Sequence, residues 1–142
     1  MKFKYLKFPF FQRNELFGPS ILRPVIPMRV AHGDISIQYD ALVDSGADFC
    51  IFDAEVAENL GIDISRGIEA QFAGVQGSSG SKAYIHQVVL EIGGWKYKAP
   101  VAFSRDLNKR SYGILGQKGF FELFSVKFDY SKEEIELMPK KK

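Results

Sequence analysis

The pattern that most constrains this fold is a pair of segments, VIPMRVA and ISIQYDALV, which lead directly into Asp44. In the second segment every other residue from position 35 to position 43 is apolar, and this alternation places those side chains on one face of a strand. His32-Gly33-Asp34 separates the two segments and has the residue types of a tight turn. The pattern predicts a β-hairpin whose second strand ends at Asp44.

Extended segments also dominate the rest of the chain. Aromatic residues make up 14% of it, 13 of them Phe, a composition typical of pleated, half-buried surfaces. EAQFAGV and KAYIHQVVLEI flank the glycine-rich tip GVQGSSGS as a projecting hairpin, WKYKAPVAF reads as a strand, and VKFDY and EIELM form a closing hairpin. Short helices are expected only in DAEVAENLG, between an Asp53 N-cap and a Gly61 stop, and in QKGFFELF. The sequence therefore predicts an all-β fold with one or two short helices.

The chain of 142 residues reads as one globular domain with two appendages. Residues 1–24 contain Pro9, Pro19 and Pro24 and are predicted to be an irregular N-terminal arm. Residues 25–138 form the domain, and residues 139–142 are a basic tail that we expect to be disordered.

Composition argues against several classes of function. The net charge is only +2 and the basic residues are mostly interspersed with acidic ones, so nucleic acid is not an expected partner. One cysteine, Cys50, excludes an internal disulfide, and His32 and His86 lack metal-ligand spacing, so neither metal nor cofactor is expected. No apolar stretch has the length of a signal peptide or a membrane span. We expect a cytoplasmic protein with no membrane partner.

Three short motifs carry the chemical information. In ALVDSGADF, an apolar strand delivers Asp44 onto a Ser-Gly turn, where backbone N–H and hydroxyl donors can hold a carboxylate. Asp-Ser-Gly is also an ordinary turn. YGILG (Tyr112–Gly116) ends an apolar run on glycine, which is equally typical of a core strand meeting a turn. The glycine-rich tip, residues 74–80, is either a lid over a cleft or a solvent-exposed loop.

Taken in order, these motifs resemble those of the retropepsins, the single-domain aspartic peptidases whose best-known members are retroviral. The matching segments are ALVDSGAD (41–48), FAGVQGSSGSKAYI (72–85) and ILG (114–116), and the resemblance covers residues 25–138. It implies a retropepsin-like acid-protease half-barrel that functions as a homodimer.

The resemblance also implies a role for each motif residue. Asp44 from each of two copies would form a catalytic dyad that shares one proton and activates a water molecule to hydrolyse an extended peptide. Ser45 and Gly46 would support this dyad. The implied substrate-binding residues are Ala47, Asp48 and the flap residues Gly74, Val75, Gln76 and Gly77.

Two departures from the retroviral pattern leave alternatives open. Gln117 stands where an arginine usually pairs with the aspartate equivalent to Asp48. This substitution motivates a second hypothesis, a catalytically weak or inactive module that binds peptides or organises an assembly. The N-terminal arm is longer than in the retroviral pattern, so it wraps a partner subunit, covers the cleft or is removed by self-cleavage. A peptidase directed only at itself or at one regulatory partner, with the N-terminal arm as the natural substrate, is the third hypothesis.

Overall fold

The structure is a computed structural model, and it describes residues 1–72, 81–107 and 112–140 apart from the side chains of residues 12, 13, 72 and 81. Most of these residues lie in strands. The strands are β1 (Lys2–Lys4), β2 (Leu6–Asn14), β3 (Gly18–Arg23), β4 (Val25–His32), β5 (Ile35–Val43), β6 (Ile51–Asp53), β7 (Ile68–Phe72), β8 (Ser81–Ile92), β9 (Trp95–Ser104), β10 (Gly113–Leu115), β11 (Phe124–Asp129) and β12 (Glu134–Pro139).

A barrel forms the centre of the molecule. Its main sheet has seven strands in the order β4, β5, β10, β6, β9, β8, β7, and an additional pairing of β4 with β8 closes the first six into a barrel. Closure pairs the edge of β4 that would otherwise be open. Rings of Phe52, Phe103, Phe120 and Phe124 are fully buried in the core. The predicted all-β fold with one or two short helices is confirmed.

The predicted hairpin that leads into Asp44 is β4–β5. Its register runs from Val25 opposite Leu42 to His32 opposite Ile35. Gly33 has a φ of +59°, which a residue without a Cβ adopts readily in a tight turn. The side chains nearest Asp44 on the inward face, Ala41 and Val43, are buried.

Strand β10 is inserted between β5 and β6. It runs parallel to β5, with Gly113 opposite Ala41 and Leu115 opposite Val43, and antiparallel to β6. A Cβ at Gly113 would lie 2.6 Å from the ring of Phe52 and 2.7 Å from the ring of Tyr39. The missing side chain therefore lets both rings pack over β10, so that β5 and β10 end side by side.

The first predicted helix is present and the second is not. Helix α1 (Ala54–Asn59) begins at the N-cap Asp53, whose side chain accepts a hydrogen bond from Glu55 N, and it is followed by Gly61 at a φ of +75°. A 3-10 helix spans Ile64–Arg66. The segment QKGFFELF instead forms a succession of turns, because Gly119 adopts a φ of +93° that a helix cannot contain. No helix in the described ranges is long and apolar enough to cross a membrane.

The N-terminal arm is regular rather than irregular, which corrects the prediction for residues 1–24. Strands β2 and β3 form a two-stranded sheet, and β1 pairs with β12. The prolines predicted irregular backbone, but Pro9 lies within the two-stranded sheet. Proline has no N–H to donate, and an edge strand tolerates this where the position faces away from the partner strand. The side chain of Asn14 accepts hydrogen bonds from the N–H groups of Leu16 and Phe17 and closes the connecting turn.

The basic tail is partly ordered. Pro139 ends β12, and the Lys140 N–H donates to Leu123 O at 2.8 Å, so disorder at these two positions was a wrong prediction. Residues 141 and 142 lie outside the described residues. The division of the chain into arm, domain and tail stays a prediction.

The arms of the projecting hairpin are β7 and β8. They pair from Ile68 opposite Ile85 to Phe72 opposite Ser81, as the sequence predicted. The tip, residues 73–80, lies outside the described residues, and with it lie the flap positions Gly74, Val75, Gln76 and Gly77.

Candidate active site

Asp44 lies where β5 and β10 end together. Its N–H donates to Leu115 O of β10 at 3.0 Å, and the preceding N–H, that of Val43, donates to Pro24 O at 2.8 Å. The backbone of Asp44 is therefore held by two neighbouring segments of the barrel. Its side chain is only half-buried, so the carboxylate remains accessible.

The turn after Asp44 orients its carboxylate. The Gly46 N–H donates to Asp44 Oδ1 at 2.9 Å, and the Ala47 N–H donates to Asp44 O at 3.2 Å. A Cβ at position 46 would lie 3.2 Å from Asp44 Oδ1, which is tighter than an ordinary contact. Glycine at this position thus lets the backbone approach the acid closely, while Ser45 and Asp48 are exposed on the same loop.

The loop that follows β10 holds the Asp44 loop through backbone hydrogen bonds. The Gln117 N–H donates to Ala47 O at 2.8 Å, and the Lys118 N–H donates to Asp48 O at 2.9 Å. A Cβ at Gly116 would lie only 2.4 Å from Phe49 O and 2.8 Å from Ala47 O. The ILG motif therefore ends on glycine for a steric reason, since any side chain there would push the two loops apart.

Gln117 adds a side-chain link to these backbone links. Its Nε2 donates to Ser45 O at 2.7 Å. Lys118, the next residue, pairs with Glu122 at 3.6 Å rather than with Asp48. Within residues 1–72, 81–107 and 112–140, the Asp48 carboxylate has no hydrogen-bond or ion-pair partner. Sequence reasoning identified the missing arginine but not the bond that replaces it, because the two partners are 72 residues apart.

Cys50 is buried beneath the site. Its Sγ accepts a hydrogen bond from Gly116 N at 3.5 Å and donates to Lys118 O at 3.4 Å. Burial raises the pKa of the thiol to about 12. A protonated thiol is a poor nucleophile. Cys50 is a core residue, as the sequence predicted.

The β2–β3 arm contacts the barrel beside β10. Leu115 faces the core, whereas Tyr112 and Ile114, two residues apart, are buried on the opposite side. Arg23 Nη1 donates to the Tyr112 hydroxyl at 3.0 Å, and the Arg23 guanidinium lies 4.9 Å from the centre of the Phe8 ring. The base of the β2–β3 arm thus packs against the face that carries Ile114. Arg23 and Tyr112 are 89 residues apart, and no local signal predicts their contact.

The structure brings Asp44, Ser45, Gly46, Ala47 and Asp48 together in one loop, and their catalytic, supporting and binding roles stay predictions. In the same described ranges, no group of three or more His, Cys, Asp or Glu side chains could hold a metal ion. The groups at hand are the carboxylate of the half-buried Asp44, oriented by a backbone amide, and the carboxylate of the exposed Asp48. Such a loop can position a proton-transfer group beside an extended chain.

Comparisons with known proteins agree with this arrangement. A family model described as aspartyl protease matches residues 26–118, which include the Asp44 loop and the ILG motif. The retropepsin-like aspartic protease from Rickettsia conorii has a similar structure, with a TM-score of 0.58, 18% identity, and coverage of 97% of this chain and 98% of that one. A second similar structure is that of EIAV protease complexed with the inhibitor HBY-793, with a TM-score of 0.50 and 20% identity. The match covers 73% of this chain and 86% of the EIAV protease chain. No curated protein matches.

The family match covers more than half of the chain. Both solved structures are less than 25% identical to the chain and therefore bear on its fold alone. Their similarity to the barrel and short helix described above indicates the retropepsin-like fold. We conclude that the chain belongs to the aspartyl protease family and has the retropepsin-like fold.

Proposed function

We propose that the chain is an aspartic endopeptidase whose active form is a homodimer with one Asp44 from each copy. The observation that carries this proposal is the loop after β5, where Gly46 N–H holds one oxygen of a half-buried Asp44 carboxylate. These 142 residues contain a single Asp-Ser-Gly motif, and in the proposed dimer the second carboxylate comes from a second copy. Two-fold symmetry would bring the same loop of both copies to one axis.

The proposed chemistry needs only the two carboxylates and a water molecule. Two adjacent carboxylates do not both ionise readily, so the pair holds one proton between them. The ionised Asp44 takes a proton from water, and the oxygen of that water attacks the peptide carbonyl carbon. The protonated Asp44 donates to the carbonyl oxygen. As the tetrahedral intermediate collapses and the C–N bond breaks, the Asp44 that took the water proton passes it to the leaving nitrogen. The hydroxyl formed on the carbonyl oxygen returns its proton to the other Asp44, so the pair again holds one proton.

An extended peptide is the substrate that fits this site. A strand lying across the Asp44 loop would satisfy its main-chain hydrogen bonds there and present alternate side chains to each side. The Ala47 carbonyl oxygen, which already accepts from Gln117 N–H, has a second lone pair for a peptide N–H. The exposed Asp48 carboxylate can also accept an N–H from the peptide. By the resemblance of the sequence, the flap residues Gly74, Val75, Gln76 and Gly77 would also contact the peptide.

Gln117 favours a second candidate function. If the arginine pair of the retroviral pattern is needed for turnover, the same dimer would hold a peptide or organise an assembly without cutting it. Both candidates predict a dimer and peptide binding, and they differ only in hydrolysis. A single assay therefore separates them.

The test is cleavage of unfolded protein and of a peptide library between about pH 4 and 8, the range where a carboxylate pair is expected to hold one proton. Wild type is expected to cleave and Asp44→Asn to be inactive, while Asp34→Asn, at the exposed turn before β5, serves as the matched control. Cleavage by purified Asp44→Asn at the wild-type rate would refute the proposal. Peptide binding by wild type with no cleavage anywhere in this range would favour the binding module.

Mixing the two chains tests the dimer itself. After subunit exchange, an equal mixture of wild type and Asp44→Asn contains about one quarter wild-type dimers. Its activity should be about a quarter of that of the same total concentration of wild type. Activity of one half would mean that each chain works alone, and sedimentation of wild type as a monomer would contradict the dimer.

A further inference from the structure

We infer that Gln117 is a positioning residue that fixes the Asp44 loop through an uncharged hydrogen bond to Ser45. This inference rests on the proposed function and names a residue that sets the geometry of the same site. The bond from Gln117 Nε2 to Ser45 O is 2.7 Å long, at the short end of the range for N–H···O bonds. It joins residues that are 72 positions apart and are otherwise on separate loops.

This bond matters because of the part of the Asp44 loop that it holds. Backbone hydrogen bonds from Gln117 and Lys118 hold the far half of the loop, at Ala47 O and Asp48 O. Between Asp44, whose N–H donates to Leu115 O, and Ala47, the other hydrogen bonds among the described residues are those within the turn, from Gly46 and Ala47. The Gln117 side chain reaches this part of the loop and holds the carbonyl of the residue directly after the acid. Removing it would leave Ser45 and Gly46 held to the rest of the barrel only through their neighbours, by the bonds of Asp44 N–H to Leu115 O and of Gln117 N–H to Ala47 O.

The clamp carries no charge, and this distinguishes it from an arginine–carboxylate pair. An amide does not titrate, so the bond to Ser45 O persists at every pH at which the protein is folded. The charged groups around it are Asp44 and Asp48 on the clamped loop and Lys118 and Glu122 on the clamping loop. Lys118 pairs with Glu122, so the Asp48 carboxylate is not used to hold the loop. The geometry of the acid is thereby separated from the ionisation of Asp48.

Two substitutions test the clamp by different means. Gln117→Ala removes it at all pH values, and we expect kcat to fall roughly tenfold with little change in KM, since one hydrogen bond that acts on alignment is lost. Gln117→Glu keeps the shape but makes the donor titratable. A protonated glutamic acid donates to Ser45 O, whereas a glutamate has no proton to donate and repels the carbonyl. Gln87→Glu, at an exposed position of β8, is the control for added charge.

The readout is the ratio of kcat for each variant to that of wild type, measured from about pH 3.5 to 7. For Gln117→Glu the ratio should approach one below the ordinary glutamate pKa of about 4.3 and fall roughly tenfold above about pH 5.5. For Gln117→Ala it should be low and flat, and for Gln87→Glu it should stay near one. A ratio within twofold of one for Gln117→Ala, or a ratio for Gln117→Glu that does not change with pH, would overturn the inference.

Amide hydrogen exchange separates failure of the clamp from failure of the proposed function. Gln117→Ala should accelerate exchange of the Gly46 and Ala47 amides by a factor of about five, because the hydrogen bond that orders their loop is lost. If wild type proves inactive while this acceleration is seen, the peptidase proposal fails and the clamp stands. If exchange at both amides matches that of wild type, the clamp is refuted whatever the activity.

Discussion

Among the glycines near Asp44, Gly116 is the one whose replacement by alanine should disturb the site most. The new Cβ would lie 2.4 Å from Phe49 O, 2.7 Å from Phe49 C and 2.8 Å from Ala47 O. All three atoms belong to the backbone, so no side-chain rotation can relieve the contacts. An ordinary contact begins at 3.4 Å, so the two loops must separate by about 1 Å.

A shift of this size sets the expected magnitude. The Gln117–Ala47 and Lys118–Asp48 backbone bonds of 2.8 and 2.9 Å would lengthen beyond hydrogen-bonding distance, at a cost of about 0.5–1.5 kcal/mol each. Overpacking adds about 1–3 kcal/mol. We expect Gly116→Ala to lower the free energy of unfolding by about 3 kcal/mol. Misplacing Asp44 by about 1 Å should also lower kcat about 100-fold, given the proposed function.

Urea unfolding at one fixed protein concentration measures the first effect. Gly94→Ala is the matched control, because Gly94 has a φ of +86° but nothing within 4 Å of the added Cβ. It should cost about 1–2 kcal/mol from backbone strain alone. The steric argument is refuted if Gly116→Ala is no more destabilising than Gly94→Ala, or if it retains wild-type activity.

Two further predictions concern groups around the site. Arg23→Ala and Tyr112→Phe should show a coupling of about 1 kcal/mol in a double-mutant cycle of urea midpoints, because each removes one end of the same 3.0 Å bond, and additive effects would contradict the contact. Burial raises the pKa of the Cys50 thiol and of the Tyr39 phenol to about 12, above the ordinary values of both groups. The unfolded chain therefore loses these protons first, and the free energy of unfolding should fall as pH rises above about 9. Urea unfolding at pH 8 and pH 10.5 should show this loss, with a smaller loss in Cys50→Ala, and equal stability at the two pH values would contradict it.

The parts of the fold that could be predicted are those set by local sequence. The β4–β5 hairpin follows from its period-two pattern, and α1 follows from Asp53 and Gly61, which lie next to the residues they affect. The helix expected after Gly116 does not form. Gly119 packs closely against a strand that is distant in sequence, and a Cβ at Gly119 would lie 2.9 Å from Pro100 O. Propensity within the segment contains no information on that neighbour.

The same distinction applies to the site. Asp44 and its turn are contiguous, so the motif predicted which residues share the loop. Their support comes from Leu115, Gln117 and the β10 register, and these partners are brought close only when the barrel closes. The arm shows the limit most clearly, since β1 pairs with β12 at the other end of the chain, and Lys2 lies opposite Glu136.

The uncharged clamp has an electrostatic consequence for the proposed dimer. When two copies meet at Asp44, the groups around each loop lose water, and an ion pair that loses water pays a desolvation cost that can exceed its attraction. The bond from Gln117 to Ser45 O avoids most of that cost because neither partner is charged. It also leaves Asp48 without a cation from its own chain among the described residues. In the proposed function, the negative charge that an arginine would neutralise is therefore available to the peptide substrate, whose N–H groups or basic side chains can donate to a carboxylate.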